Sequence, residues 1–271
     1  MATIGQISDT LRTQLEPRFG SGETRALMRI IFEEVMLLRP IDVIVNPERE
    51  LPDFIPPKIH DITRRLLADE PIQYILGQAR FCGLNLKVNP ATLIPRPETA
   101  ELVDIITDRY RQRRDLRILD LGTGSGCIAI ALARALKFPQ ITAVDISEAA
   151  LEIARQNAAD YRVKINFINA DILNLHLPDR FDIIVSNPPY VLDSERAEME
   201  PHVLNHEPHS ALFVPDSDPM RFYDAIVQYA RHHSKALYFE INPLCAAQFK
   251  DAQIIKDSFG KDRFAIYDPI C

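Results

Sequence analysis

The feature that most constrains the fold is a regular alternation of strand-like and helix-like segments that begins near Arg117. Short apolar runs that suit buried strands are separated by longer segments in which apolar residues recur at helical spacing. Strands joined by helices of this length require crossover connections, which place the strands parallel in one sheet. The predicted strands are Ile118–Leu121, Ile141–Asp145, Ile165–Asn169, Phe181–Ser186, Ala236–Ile241 and Phe264–Tyr267, and the predicted helices are Cys127–Leu136, Glu148–Asp160, Pro219–Arg231 and Pro243–Ser258. We therefore expect a doubly wound α/β domain with a mostly parallel sheet.

The first third of the chain has the periodicity of short helices instead. Apolar stripes stand on either side of a break at Gly20-Ser21-Gly22, and a third helix is predicted from Pro57 to Ala68. The stripe residues are Ile4, Ile7, Leu11, Leu15, Leu27, Ile30, Ile31 and Val35. Such helices cannot bury a stripe alone, so a small bundle is expected. The predicted organisation is a helical domain over residues 1–77, a β-hairpin linker over residues 78–96 and the α/β domain over residues 97–271.

Charge limits the class of partner. Lys plus Arg number 31 against 38 Asp plus Glu, a formal net charge of −7. Proteins that grip nucleic acid gain most of their non-specific affinity from a positive field, so this balance disfavours DNA as a partner. Arginines at positions 109, 111, 113, 114 and 117 accompany a helix predicted to run from Pro97 to about Arg113, whose C-terminal end favours cations. Contact with RNA or the ribosome is the alternative explanation of this run.

The cysteines and the N-terminus carry no metal or targeting signal. The four cysteines lack metal-ligand spacing and a disulfide framework, so we expect reduced, buried thiols and no metal site. They are Cys82, Cys127, Cys245 and Cys271. The N-terminus has no basic segment followed by an apolar one, and no apolar run approaches the ~18 residues of a membrane span. We expect a cytoplasmic monomer with no membrane partner.

A glycine-rich loop, Asp120-Leu121-Gly122-Thr123-Gly124-Ser125-Gly126, lies between a predicted strand and a predicted helix. In a doubly wound sheet this is where a nucleotide-like ligand binds, and an acidic residue at the end of the next strand, Asp145, suits ribose hydroxyls. Alone, such a loop could be only a tight turn. Its Gly-x-Gly-x-Gly register differs from the Gly-x-Gly-x-x-Gly dinucleotide fingerprint, which favours an adenosine ligand without phosphates. S-adenosylmethionine fits that description.

The sharpest feature is Ser186-Asn187-Pro188-Pro189-Tyr190, directly after an apolar strand. Consecutive prolines end the strand and restrict the residue before them to extended conformations. The side-chain oxygen of Asn187 and the carbonyl of Pro188 are therefore held as rigid acceptors at the carboxyl edge of the sheet. Two fixed acceptors suit both hydrogens of a planar NH2 group. A rigid turn without a catalytic role is the alternative.

This arrangement predicts methyl transfer to an amide or aromatic amine. The nitrogen of such a group is a poor nucleophile because its lone pair is delocalised. Acceptors on both of its hydrogens orient it toward an electrophilic methyl group and stabilise the positive charge that develops on it. Tyr190 is expected to pack its ring against the substrate side chain and exclude water.

Together, the Asp120–Gly126 loop, Asp145 and Asn187-Pro188-Pro189-Tyr190 resemble class I methyltransferases that act on planar NH2 groups. Two further segments, Pro71-Ile72-Gln73-Tyr74-Ile75-Leu76-Gly77 and Leu93-Ile94-Pro95-Arg96-Pro97-Glu98-Thr99, resemble the release-factor glutamine methyltransferases, the PrmC/HemK family. The likeness extends from about Pro71 to Glu240. The tail beyond it matches weakly, with Asn242 where a glycine is expected, and Asp216–Arg221 lacks the glycines usual there.

The resemblance implies a class I, Rossmann-like sheet preceded by a small helical domain that recognises the substrate, the class I peptide-chain release factors. It implies that the methylated group is the glutamine of their Gly-Gly-Gln loop. The implied catalytic residues are Asn187, Pro188 and Tyr190, and the implied substrate-binding residues are Asn187, Pro188, Pro189, Tyr190 and Arg96. The implied residues for S-adenosylmethionine are Gly122, Thr123, Gly124, Ser125, Gly126, Asp145, Asp171, Ile172 and Asn187. Arg96 could equally be a structural ion-pair residue.

Two other functions remain open from the sequence. An adenine-N6 nucleic-acid methyltransferase would use the same Asn-Pro-Pro-Tyr chemistry, but it would need a surface that binds nucleic acid and flips the target base. A scaffold that binds the cofactor and docks on a translation factor without turnover would keep the loop and lack activity. Methylation of a release factor, of DNA or of neither discriminates these functions.

Overall fold

The computed structural model describes residues 2–270 and divides into two compact units between Leu76 and Gly77. The first unit is helical. Its helices are α1 (Ile4–Ile30), α2 (Pro40–Val45), α3 (Ile55–Leu66) and α4 (Ile72–Leu76). The predicted stripes supply its core, in which Ile4, Leu11, Leu15 and Ile31 are fully buried. The predicted bundle is thus present, and α2 and α4 are additional short helices.

The predicted break at Gly20-Ser21-Gly22 is a kink inside α1. Gly20 has φ 72° and ψ 168°, a conformation that glycine adopts without steric cost, and helical geometry resumes after it. The helix begins with a capping box, in which Thr3 accepts from the Gln6 backbone and the Gln6 side chain accepts from the Thr3 backbone. Beyond Ile30 the chain makes a π-helical turn over Ile31–Val35.

The second unit is built on a seven-stranded sheet flanked by helices. Its strands are β3 (Arg117–Leu121), β4 (Gln140–Asp145), β5 (Ile165–Asn169), β6 (Phe181–Ser186), β9 (Ser234–Glu240), β10 (Gln253–Lys256) and β11 (Asp262–Tyr267), with two hairpin strands, β1 (Gln78–Phe81) and β2 (Leu84–Lys87), and a short pair, β7 (Val191–Leu192) and β8 (Phe213–Val214). Its helices are α5 (Pro97–Tyr110), α6 (Cys127–Ala135), α7 (Glu148–Asp160), α8 (Pro201–His206) and α9 (Arg221–His233). The sheet order is β10-β11-β9-β6-β3-β4-β5, parallel from β9 to β5 and antiparallel at β11 and β10.

The predicted helix Pro243–Ser258 is wrong. A 3-10 turn over Pro243–Gln248 is followed by the edge strand β10, which pairs antiparallel with β11. Two adjacent β-branched residues, Ile254 and Ile255, favour an extended backbone. Antiparallel pairing with β11 supplies hydrogen-bond partners for the backbone of this segment. The apolar spacing of this segment does not distinguish the two structures because the run is short.

The hairpin β1–β2 packs into the core of the second unit, through Phe81, Leu84 and Leu86. Its turn corrects the prediction of four buried thiols, since Cys82 occupies the tip with φ 47° and is exposed. Cys127 is half-buried, Cys245 is buried, and both are free. The prediction for Cys271 lies outside the described residues.

The arginine run consists largely of cations paired with carboxylates. Arg109 bonds Asp268, Arg111 bonds Asp108, and Arg117 bonds Asp179. Helix α5 ends at Tyr110, so the helix-dipole explanation applies to Arg109 in the last turn.

Over residues 2–270, no helix combines the length and the apolar character that a bilayer crossing requires.

Strand order brings the ends of three strands together. β3 lies between β4 and β6. The next two strands along the chain, β4 and β5, lie on one side of β3, and the later strands from β6 onward lie on the other side. Leu121 at the end of β3 is level with Val144 on one side and Ser186 on the other. The glycine loop, Asp145 and Asn187 therefore emerge side by side at the carboxyl edge of the sheet, the usual ligand position in this architecture.

Candidate functional site

The glycine loop curls over the end of β4. The backbone N–H groups of Gly122 and Thr123 both donate to the Val144 carbonyl, at 2.9 and 3.0 Å, and Gly126 N–H donates to the Thr123 carbonyl. Gly122, Gly124 and Gly126 have φ values of 75°, 55° and 82°. Side chains with a Cβ rarely adopt this left-handed backbone, which explains the glycine at every second position.

Two of these glycines serve different purposes. A Cβ on Gly126 would lie 3.2 Å from Ala154 Cβ and 3.1 Å from Ile130 Cδ1, so this glycine permits close packing of the loop on α6 and α7. A Cβ on Gly124 would meet nothing within 4 Å. Gly124 therefore leaves open space in front of the loop, where a ligand can approach the backbone.

Asp145 braces the loop from the end of β4. Its Oδ2 accepts from Gly124 N–H at 2.8 Å and its Oδ1 from Ser147 N–H at 2.9 Å. Burial raises the pKa of the Asp145 carboxyl, while the bonds from Ser147 and Gly124 oppose that rise. Each carboxylate oxygen has a further lone pair, so the group can also accept hydrogen bonds from ligand hydroxyls.

Asp120 is a buried carboxyl beneath the same loop. Its Oδ2 accepts from the Thr123 hydroxyl at 2.7 Å and from Ala129 N–H at 3.2 Å, while its Oδ1 has no partner among residues 2–270. Burial, and secondarily the charge of Asp145, raises the pKa of Asp120 to about 7. Beyond its place in the loop, no sequence feature singles out Asp120.

This raised pKa predicts a pH-dependent stability. The folded chain keeps a proton on Asp120 that the unfolded chain has released above its ordinary pKa of 3.8, so stability falls as pH rises toward 7. The Asp120→Asn variant is neutral throughout. Between pH ~5.5 and ~7, the ligand-free parent should lose about 2 kcal/mol more of its unfolding free energy than the variant does. Denaturant unfolding at both pH values measures this difference, and parallel pH dependences would refute it.

Asn187 follows β6 and makes a side-chain contact that the sequence did not suggest. Its Nδ2 donates to the Thr99 hydroxyl oxygen at 3.1 Å, and Thr99 donates in turn to Oε2 of Glu240 at 2.6 Å. Thr99 and Glu240 are both buried. The available signals were the position of Thr99 at the end of a family segment and an acidic residue, Glu240, inside a predicted apolar strand.

Tyr190 reaches the same carboxylate. Its hydroxyl donates to Glu240 Oε1 at 2.9 Å, and the Asn242 side chain donates to its backbone carbonyl at 3.0 Å. Burial raises the pKa of Tyr190 well above its ordinary value, with the charge of Glu240 as the second cause. Tyr190 is not among the residues that line the adjacent cavity. Among the described residues, the aromatic side chains on that wall are Phe213 and Phe222.

A cavity of about 360 Å³ lies in front of the loop. Of the residues singled out from the sequence, its walls contain Gly122, Gly124, Asp145, Asp171, Ile172, Asn187 and Pro189. Thr123, Ser125 and Pro188 are buried and do not line the cavity. Asp171 caps the turn that carries Ile172, since its Oδ1 accepts from Leu173 N–H at 2.9 Å. Apolar walls with a few polar groups are typical of a site for a small organic ligand.

Arg96 forms an ion pair with a buried carboxylate. Arg96 donates to Oε1 of Glu207, and Oε2 of the same carboxylate accepts from Ile94 N–H at 3.2 Å. The Glu207 side chain is fully buried, and that of Arg96 is 30% exposed. The pair anchors the segment 191–218, which contributes Pro208, Ser210 and Ala211 to the cavity wall.

Comparisons with known proteins show which families this chain is similar to. Two family models match, the PrmC N-terminal domain over residues 9–77 and the Methyltransferase small domain over residues 99–209. The release factor glutamine methyltransferase of Bacteroides thetaiotaomicron is 42% identical, over 96% of this chain and 98% of the relative. That of Flavobacterium psychrophilum is 41% identical, over 90% of this chain and 92% of the relative.

Solved structures extend the likeness of the fold. The catalytic domain of hMettl16, solved in complex with a 3′UTR hairpin, has a TM-score of 0.50 and 15% identity, and the match covers 69% of this chain and 76% of that one. Similarity at this identity concerns the fold alone. The family models and this match confirm the predicted class I methyltransferase sheet with a helical domain before it.

Proposed function

This chain belongs to the release factor glutamine methyltransferase family, and we propose that it methylates peptide-chain release factors on a glutamine side chain. The acceptor is the amide nitrogen of the glutamine in their Gly-Gly-Gln motif, and the methyl donor is S-adenosylmethionine. The observation that carries the proposal is the position of Asn187. Its amide lies on the wall of the cavity that also contains Gly122, Gly124 and Asp145, so an acceptor for an NH2 group and a nucleoside-sized site share one space.

The residues on this wall fit S-adenosylmethionine. Gly124 leaves the loop backbone open, Asp145 offers carboxylate oxygens suited to ribose hydroxyls, and Ile146 and Ile172 offer apolar surface suited to adenine. Asp171 orders the turn that presents Ile172. When bound, S-adenosylmethionine supplies a methyl group made electrophilic by its sulfonium.

The side chains at the end of β6 act on the substrate amide. Asn187 Oδ1 and the Pro188 carbonyl accept its two hydrogens, which turns the nitrogen lone pair toward the methyl donor. The same acceptors stabilise the positive charge that grows on the nitrogen, and the surplus proton leaves after transfer. Pro188 and Pro189 keep both acceptors rigid. Tyr190 supports them from behind, through its bond to Glu240.

Recognition of the release factor belongs to surfaces outside the cavity. We assign it to the helical unit, in keeping with the PrmC N-terminal domain match over residues 9–77. The segment anchored by Arg96 and Glu207 shapes the entrance to the cavity for the glutamine side chain. A location in the cytoplasm, where release factors work, and a monomeric state complete the proposal.

The test is transfer of radiolabelled methyl from S-adenosylmethionine to a purified release factor. Its Gln→Ala variant in the Gly-Gly-Gln motif and a duplex DNA are assayed beside it. The expected result is label on the parent factor alone. Label on DNA would replace the proposal with the adenine-N6 reaction. Label on none of the three, with S-adenosylmethionine still bound, would favour a scaffold without turnover.

A further inference from the structure

We propose that Thr99 is a positioning residue, polarised by Glu240, that determines which end of the Asn187 amide faces the substrate. The inference rests on the proposed function, because it explains how Asn187 is held as an acceptor. The three groups form one chain of hydrogen bonds, from Asn187 Nδ2 to Thr99 Oγ1 and from Thr99 to Glu240 Oε2, at 3.1 and 2.6 Å.

Glu240 sets the donor-to-acceptor direction of these hydrogen bonds. The residue is 1% exposed, and its two oxygens accept one hydroxyl each, from Thr99 and from Tyr190. Burial raises the pKa of this carboxyl, while both hydroxyl donors and the charge of Arg263 oppose that rise. Thr99 and Tyr190 are the donors in these two bonds, so both hydroxyls point their hydrogens at the oxygens of Glu240.

Thr99 is consequently an acceptor on its other side. A hydroxyl has a single hydrogen, and that of Thr99 is committed to Glu240. Asn187 must then present its NH2 end to Thr99. A flipped amide would place Oδ1 against the lone pairs of Thr99 Oγ1, with no hydrogen between the two oxygens. The network thus selects between two orientations of the amide that have nearly the same shape.

The fold holds both ends of this series of hydrogen bonds in place. Thr99 lies in the first turn of α5, which begins at Pro97, and is 2% exposed. Strands β6 and β9 are paired with Ser186 level with Phe239, so Asn187 and Glu240 leave the sheet as neighbours. A site arranged before the substrate arrives loses no energy to reorientation during the reaction. Asn187 Oδ1 is therefore the atom of this amide that remains to accept from a substrate NH2.

The test replaces Thr99 with valine, which keeps its shape and removes the hydroxyl. We expect kcat for release-factor methylation to fall about 30-fold, because the amide then samples both orientations and an acceptor is lost. The Kd for S-adenosylmethionine should stay near that of the parent. Thr99→Ser, which keeps the hydroxyl, should restore kcat to within about threefold of the parent. Thr99→Ala, which relieves any packing strain from valine, should match the loss.

Thr107→Val is the matched control. Thr107 lies two turns farther along α5, and its buried hydroxyl has no partner among the described residues. The same chemical change there should leave kcat unaltered. Parental kcat in both Thr99→Val and Thr99→Ala would overturn the inference, as would Thr99→Ser falling as far as Thr99→Val.

A measurement without turnover separates this inference from the proposed function. The side-chain NH2 signals of Asn187, identified by their loss in Asn187→Ala, can be followed by NMR hydrogen exchange in ligand-free protein. We expect slow exchange in the parent and faster exchange in Thr99→Val. If the parent failed to methylate the release factor yet gave this exchange pattern, the proposed function would fall and the network would stand. Equal exchange in both proteins would contradict the network itself.

Discussion

Replacing Asn187 with alanine should lower methyl transfer to the release factor by about 1000-fold and leave the affinity for S-adenosylmethionine close to that of the parent. The amide is the side-chain acceptor expected to orient the substrate NH2 group and stabilise its developing charge. Alanine cannot accept a hydrogen bond, so this loss falls on the transition state. The glycine loop and Asp145, which carry most of the proposed cofactor contacts, are untouched.

Single-turnover methylation and calorimetric titration of S-adenosylmethionine measure these two effects separately. Asn166→Ala is a suitable control, because Asn166 is an exposed asparagine on β5. It should behave as the parent in both measurements. Parental turnover in Asn187→Ala would remove this residue from the catalytic assignment, whatever the result for cofactor binding.

Replacing Asp145 with alanine should weaken the binding of S-adenosylmethionine about 100-fold, with a much smaller change in kcat at saturating cofactor. The variant loses the acceptors proposed for the ribose hydroxyls. It also leaves the N–H groups of Gly124 and Ser147 without their bonds to the carboxylate, so the loop that faces the cofactor loosens. Both effects act on cofactor binding, which precedes the methyl-transfer step.

Titration calorimetry measures the affinity, and initial rates over a range of cofactor concentrations divide the effect between KM and kcat. Asp160→Ala is the control, because Asp160 is an exposed acid at the end of α7 whose partner is Lys87. Its affinity for the cofactor should be that of the parent. Unchanged affinity in Asp145→Ala would place the ribose elsewhere in the cavity.

Hydrophobic periodicity, together with capping and turn residues, was sufficient to predict the parallel strands of the sheet. The bounds predicted for Ile165–Asn169 and Phe181–Ser186 are those of β5 and β6, and the helix Glu148–Asp160 is α7. The buried strand β6 contains the apolar run Ile183-Ile184-Val185, and α7 begins directly after the capping residue Ser147. The segment after Pro243 was predicted incorrectly because its structure depends on an edge pairing with β11. Pairing between strands is not a local property.

The chain itself determined the positive-φ glycine loop, the rigid Asn-Pro-Pro-Tyr turn and the acid at the end of β4, because backbone sterics act over a few residues. Tertiary structure alone decided what each polar group touches. Thr99, Asn187 and Glu240 are far apart in sequence, and their chain of bonds exists because α5, β6 and β9 meet at one edge of the sheet. Burial of Asp120 and the ion pair of Arg96 with Glu207 have the same origin. Hydrogen-bond direction and desolvation depend on neighbours in space, and the fold alone supplies those neighbours.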